Sequence, residues 1–388
     1  MKRILFITTS NLSTNPRLVK EVQFLQGKGY QCSILAFRLG NWYDENDEEL
    51  VREYNFDVKY ISAHRKPFLP WLQASAVNIV AKRFWNSRSA LWLSAIASNK
   101  RSFLLLRKLQ KLKGGFDLVI AHNLGALYPA YKFSHEHQIP LGFDVEDYHP
   151  GETIAGDARN EKKRRELLMK SILPKISFVT AAAPLIAEET EKLIGEGGEI
   201  SIINNSFFLK EFVRPSCSIK KHDKKVHFVW FSQNISFGRG LEEFIKAAIS
   251  MKDKITVTLV GAIDELFKKE WIDSNSSFIY VKPPMSQDEL HSYLNEFDVG
   301  LALEMSSADF NRTICLTNKL FAYVQAGLYV LATDTPAQQM FLMKHPNVGL
   351  VTEQNALAMS QKVNEIHSDL SAIRKSKMNR WFQAKKIA

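Results

Sequence analysis

The chain has 388 residues, of which 45% are apolar and 24% charged, and its formal net charge is +10. That length favours two domains, and the composition is ordinary for a globular protein. Cys32, Cys217 and Cys315 are few, far apart and odd in number, which argues for reduced thiols in a cytoplasmic setting and against a structural metal.

Lys2 to Thr8 reads as a buried strand, too short an apolar run for the core of a signal peptide. No window holds 18 apolar residues, so no membrane span is expected. The turn-rich loop Thr9 to Pro16 leads into a helix from Arg17 to Gly27, with Leu18, Val22 and Leu25 on one face. Gln31 to Phe37 is the next strand. Strand, helix and strand with short connections begin a parallel sheet.

Between His64 and Lys113 there is no Asp or Glu. Arg65, Lys66, Lys82, Arg83, Arg88, Lys100, Arg101, Arg107, Lys108, Lys111 and Lys113 are interleaved there with Phe68, Trp71, Phe84, Trp85, Trp92 and Phe103. One reading is a pair of helices with apolar faces in the core and solvated charges. The other is an interfacial surface for anionic lipid, where Lys and Arg meet headgroups and Trp sits at the boundary. No nucleic-acid motif accompanies the charge, so nucleic acid is not an expected partner.

Further strands are predicted over Leu118 to Ala121, Pro140 to Phe143, Phe178 to Ala181 and Ile200 to Ile203, with helices over Leu124 to His135 and Glu161 to Leu173. His135 and His137, two apart on a helix, point away from each other and read as surface. Residues 207 to 224 are irregular, and the domain boundary is placed near Ser206. A second alternating series follows, with strands over Val226 to Phe231, Ile255 to Val260, Phe278 to Val281 and Val299 to Leu303. Then Thr317 to Asp334 reads as a short helix, a stop at Gly327 and a buried strand. The expected fold is α/β, with two Rossmann-like domains facing a central cleft. Residues 1–206 form one domain and 207–373 the other, and a last helix over 374–388 crosses back to the first.

Ligands in such sheets bind beyond the carboxyl ends of the strands, so the loops there carry the candidates. The turn after the first strand lacks the dinucleotide glycine pattern, and no Walker sequence occurs. Thr317, Asn318 and Lys319 stand at a helix start, where free N–H groups and a lysine suit a phosphate. Gly238 and Gly240 flank Arg239 just before another helix. The glycines let the backbone approach a ligand, and the guanidinium offers a fork to phosphate oxygens. In the first domain Asp144, Glu146, Asp147, His149 and Glu152 crowd one loop, and like charges so close raise one another's pKa, as a general base requires. His122 ends another strand. Asp144 and Glu146 form a possible metal pair, but the sequence supplies no third ligand, and no metal is expected.

With these pieces the chain resembles the GT-B glycosyltransferases, close to glycosyltransferase family 4. The resemblance rests on the opening strand with Asn15-Pro-Arg17, the segment Asp144 to Glu152, the segment Trp230 to Glu242, and the cassette with Asn318-Lys-Leu-Phe321 and Ala326-Gly327. It implies a nucleotide-diphospho-sugar donor, UDP- or GDP-linked, on the second domain, and a glycan or lipid-linked acceptor on the first. It implies no cofactor, and a role in cell-surface polysaccharide synthesis at the inner face of a membrane. Asp147 or Glu146 then takes the acceptor proton, while Arg239 and Lys319 balance the leaving diphosphate. The family carries two glutamates eight positions apart in this cassette, and here those positions are Ile314 and Ala322. Glu304 is the carboxylate that can take over part of their role. A nucleotide-sugar epimerase and a non-catalytic nucleotide-sugar-binding protein of the same fold are the alternatives.

Overall fold

The structure is a computed structural model that describes residues 1–387 except 41–42, 66–67, 87–90, 155, 196–198 and 216–222. Lys66 and Arg88 of the basic stretch, and Cys217, Lys220 and Lys221 of the irregular segment, therefore lie outside the described residues. Contacts divide the chain into two units, Met1–Ile203 and Asn204–Ala388.

The first unit is built on seven parallel strands: β1 (Arg3–Thr8), β2 (Gln31–Arg38), β3 (Asp57–Ser62), β4 (Leu118–His122), β5 (Leu141–Val145), β6 (Phe178–Ala181) and β7 (Ile200–Ile202). Their order is β3-β2-β1-β4-β5-β6-β7. β1 thus lies between β2 and β4, and the strand order reverses there. The loops leaving β1 and β4 diverge and open a crevice at their carboxyl ends, the place where such sheets bind ligands. Ile4, Phe6, Ile34, Ala36 and Ile120 form the core beneath it. Asn15 caps the helix Pro16–Gly27, its side-chain oxygen accepting from the Leu18 amide at 3.1 Å. That cap aims Arg17 and Glu21 of the first turns back toward the ends of β4 and β5.

The second unit repeats the plan with six strands: β8 (Val226–Ile235), β9 (Ile255–Ile263), β10 (Ile279–Lys282), β11 (Val299–Ala302), β12 (Tyr329–Thr333) and β13 (Gly349–Thr352). The order is β10-β9-β8-β11-β12-β13, so the reversal falls between β8 and β11. The cassette helix is Asn318–Gln325, and every residue from Lys319 to Gln325 is buried. Gly327, at φ +74°, ends it with a Schellman pair: the Gly327 amide donates to Val324 at 3.0 Å and the Leu328 amide to Tyr323 at 3.0 Å. Tyr323 lies flat against β11, where a Cβ on Gly300 would come within 2.1 Å of its ring.

Two edge strands, β3 and β13, went unread in the sequence, and so did the helix Pro184–Ile194. In place of a pair of helices in the basic stretch there are three: Phe68–Phe84, Leu91–Ser98 and Arg101–Leu109. The last helix, Lys377–Ile387, is seated on the second unit. Lys377 Nζ donates to the Asn295 and Phe297 carbonyls at 2.8 and 2.7 Å, and Arg380 Nε to Gly327 at 3.1 Å. Phe207, just past the boundary, exchanges two bonds with the Gln325 side chain: its amide donates at 2.9 Å and its carbonyl accepts at 2.8 Å.

Candidate active site

In the first unit, His122 ends β4 and is fully buried. Its Nε2 stands 2.9 Å from Glu21 Oε2, and its Nδ1 stands 3.4 Å from Glu146 Oε1 and 3.6 Å from Asp144 Oδ2. Burial lowers the imidazole pKa, but the bonds to Glu146 and Glu21 and the charge of Asp144 outweigh it and raise it to about 10. His122 is therefore an imidazolium at neutral pH, a donor at both nitrogens and not a base.

Asp144 is buried under Arg17. Nη2 donates to Oδ1 at 2.8 Å and Nε donates to Oδ2, while Nη1 reaches the Ile203 carbonyl at 2.6 Å. The Thr180 hydroxyl also donates to Oδ1. Burial raises the Asp144 pKa, and the Arg17 charge and bonds, with His122 and Thr180, hold it below the usual carboxylate value. Glu146 takes Asn123 Nδ2 on its second oxygen at 3.1 Å. Asn123 itself has a φ of +65°, rare for a residue with a side chain and a sign of backbone strain at the end of β4.

His122 is the third ligand the sequence did not show beside Asp144 and Glu146; ligand atoms of the three lie within 4.8 Å of one another. The chemistry of the set opposes a metal. Both Asp144 oxygens already accept from Arg17, and His122 would have to release a proton to offer a lone pair. The Arg17 guanidinium already neutralises Asp144.

The loop beyond β5 continues through Asp147, half-buried, to His149. His149 Nδ1 is 3.1 Å from Glu152 Oε2, and Arg165 donates to the His149 carbonyl at 2.7 Å and to Glu152. Burial would raise the Glu152 pKa, but His149 and Arg165 depress it to about 2.

In the second unit the cationic residues gather round Glu304, just beyond β11. Its backbone amide donates to Thr333 Oγ1 at 2.9 Å, and that hydroxyl donates back to the Glu304 carbonyl at 2.6 Å. The clamp between the ends of β11 and β12 turns the carboxylate inward. Arg312 Nη1 is 3.1 Å from Oε2 and Lys319 Nζ 3.5 Å from Oε1. Lys319 also stands 4.9 Å over the ring of buried Trp230. Burial lowers its pKa, Glu304 opposes, and Arg239 and Arg312 lower it further. Arg312 and Lys319 thus pair with one buried carboxylate, and the charge of Arg239 is felt at Lys319. Thr317 makes no side-chain cap, and Asn318 Oδ1 is buried without a partner. Gly238 (φ +71°) and Gly240 (φ +75°) bend the chain in a way that favours glycine, and a Cβ on Gly240 would press Leu303 and Met305 at 3.1 Å. Arg239, half-buried, lies between them. Arg312 and Glu21 were not singled out in the sequence, because each reads there as a solvated charge on a helix. Ile314 and Ala322, the positions without glutamate, are both buried apolar residues.

A third feature is the helix Phe68–Phe84. Ala74 and Ala81 face inward, and Asn78 Nδ2 donates to the Ile96 and Ala97 carbonyls at 2.5 and 3.2 Å. The outward face carries Leu69, Leu72, Ile79 and Val80, with Ile79 70% exposed. Lys82 and Arg83 border it. Among the described residues, no helix is long and apolar enough to cross a membrane.

The sequence matches no protein-family model, and no curated protein matches it. Solved structures do. HepE of Anabaena, in complex with UDP, superposes at a TM-score of 0.68 with 14% identity over 100% of this chain and 95% of its own. Sucrose-phosphate synthase of Thermosynechococcus elongatus gives 0.66 with 12% identity over 99% and 95%. MnaA of S. aureus, in complex with UDP, gives 0.53 with 12% identity over 100% and 95%. At these identities the likeness is one of fold: the chain has the two Rossmann-like domains of the GT-B type.

Proposed function

We propose that the chain is a glycosyltransferase working without a metal. Its donor is a nucleoside-diphosphate sugar, UDP- or GDP-linked, held by the second unit. Its acceptor is a glycan or lipid-linked glycan of a cell-surface polysaccharide, held by the first. The observation that carries this reading is the pairing of both Arg312 and Lys319 with the buried carboxylate of Glu304, with the charge of Arg239 also felt at Lys319. Preorganised cations in a desolvated place stabilise charge that develops on a leaving diphosphate, the largest electrostatic effect available without a metal. Gly238 and Gly240 let the backbone close on the phosphates, and Glu304 serves in place of the glutamate absent at Ala322.

In the first unit, Asp144 is committed to Arg17, and His122 acts as a charged donor. Asp147 or Glu146 takes the acceptor proton, with His122 and Asn123 orienting Glu146. Titration calorimetry with UDP and GDP, followed by transfer and donor-hydrolysis assays, tests the donor half. No heat with either nucleotide ends it, and wild-type turnover in Arg239→Ala removes Arg239 from the role. HepE and MnaA, both solved with UDP, share the fold and support a nucleotide site in it. The UDP-N-acetylglucosamine 2-epimerases share it as well, so conversion of donor without acceptor decides for an epimerase.

The exposed face of Phe68–Phe84 and the acid-free stretch around it support peripheral binding to an anionic membrane from the cytoplasmic side. Binding to anionic vesicles that weakens with salt is expected. Equal binding to neutral vesicles removes the electrostatic argument.

A further inference from the structure

Arg101 is a cation that the first unit leaves without a counter-ion. It is half-buried at the start of the helix Arg101–Leu109, and no carboxylate pairs with it among the described residues. Its guanidinium donates to the Thr9 carbonyl. Thr9 follows β1, whose last residue, Thr8, stands in register with His122. Asn99 Nδ2 holds the Thr9 hydroxyl at 3.4 Å. Arg101 is thus fixed at the same end of the sheet as the His122 cluster.

Contacts continue outward from it. Lys100 precedes it in the chain, and Lys100 Nζ lies 5.2 Å over the Trp71 ring. The Arg65 guanidinium lies 5.3 Å over the same ring. Phe68, 5.8 Å from Trp71, is exposed, as are Leu69 and Leu72 of the same helix start. Cations therefore run from an exposed apolar helix end to the candidate catalytic end of the sheet, and none of the three pairs with an acid among the described residues. For half-buried Arg101 a charge drawn out of water without a counter-charge is costly, and a guanidinium fork matches phosphate oxygens. A soluble sugar phosphate matches the cations and leaves the apolar helix unused. A neutral glycolipid does the reverse.

We propose that Arg101, with Lys100 and Arg65, seats the phosphate of an acceptor whose apolar chain lies along Phe68, Leu69 and Leu72. The acceptor class is then a lipid-phosphate-linked saccharide, carried on a polyisoprenyl or similar chain. This narrows the acceptor of the transferase reading above and rests on it.

Co-sedimentation with phosphatidylcholine vesicles tests the assignment. One set is doped with polyprenyl phosphate, one with the uncharged polyprenol, and one with phosphatidylglycerol at the same phosphate content. Expected is tightest binding to polyprenyl phosphate, with Arg101→Gln losing about tenfold or more, the value of one charge-assisted bond, and Arg101→Lys recovering part of it. Thermal unfolding of each variant separates loss of the seat from loss of the fold. Arg101→Gln that is folded and binds polyprenyl phosphate like wild type overturns the proposal. Equal affinity for phosphatidylglycerol assigns the seat to bulk headgroups and overturns it too. The UDP titration of the wild-type chain is read apart. Absent heat with lipid binding intact fails the donor reading and not the phosphate seat.

Discussion

Arg17→Met should unfold the first unit more easily than any surface substitution, and the reason can be followed bond by bond. Asp144 is 2% exposed. Without Arg17 it keeps one hydroxyl donor, Thr180, and an imidazolium at 3.6 Å. Breaking a buried pair by removing one partner costs about 3–5 kcal/mol, because the remaining charge stays buried. The lost bond to the Ile203 carbonyl contributes about 1 kcal/mol of this. Arg17→Met combined with Asp144→Asn removes the orphan charge, so the double variant should cost roughly 2 kcal/mol less than the sum of the single ones. Native-state hydrogen exchange at Ala121 and Phe143, both central in β4 and β5, reads the first unit alone; this matters because two units need not unfold together. A cost for Arg17→Met under about 1 kcal/mol, the worth of a surface pair, would refute the reasoning. So would strictly additive behaviour of the pair.

His122 predicts an alkaline limit. Its folded pKa, about 10, lies above the ordinary 6.5, so its contribution is complete below pH 6.5 and is lost as pH rises toward 10. His122→Gln should flatten that limb in chemical unfolding at a series of pH values. Glu152 acts at the other end: depressed from 4.5 to about 2, it stabilises above pH 4.5 and ceases to as pH falls toward 2, and Glu152→Gln should blunt the acid limb. Lys319→Met should weaken UDP binding about tenfold or more while changing stability by less than about 1 kcal/mol, since Arg312 stays paired with Glu304; calorimetry and urea unfolding measure the two effects separately. Gly300→Ala should cost about 2–3 kcal/mol by forcing Tyr323 off β11, read by urea unfolding of the second unit.

The sequence showed most of the parallel strands because central strands of an α/β sheet are continuous apolar runs, as in Leu118 to Ala121 and Leu328 to Ala332. It hid β3 because Asp57, Lys59 and Ser62 interrupt its apolar residues. Pro184 at the first helical position was a usable sign of the Pro184–Ile194 helix. For the sites, polar residues closing apolar strands were legible: His122, Asp144, Glu146 and Glu304. Their partners were not, because Arg17, Glu21 and Arg312 lie on helices, where one charged residue looks like another. Only the crossing of distant segments shows that Arg17 spends its fork on Asp144 and that Glu304 is held by Arg312 and Lys319.

The pair of bonds between Gln325 and Phe207 makes a side-chain amide stand in for a neighbouring strand. The amide has the donor and acceptor of a peptide group, so the segment entering the second unit is fastened to the helix that carries Lys319 without any sheet being extended. Such a fastening is chemically fragile in one respect. Exchanging one nitrogen for oxygen, as in Gln325→Glu, leaves volume and shape alone and turns the donor facing the Phe207 carbonyl into a second acceptor. A single atom thus acts as a catch, and replacing it frees the entering segment while Leu320, Phe321 and Val324 keep the helix packed.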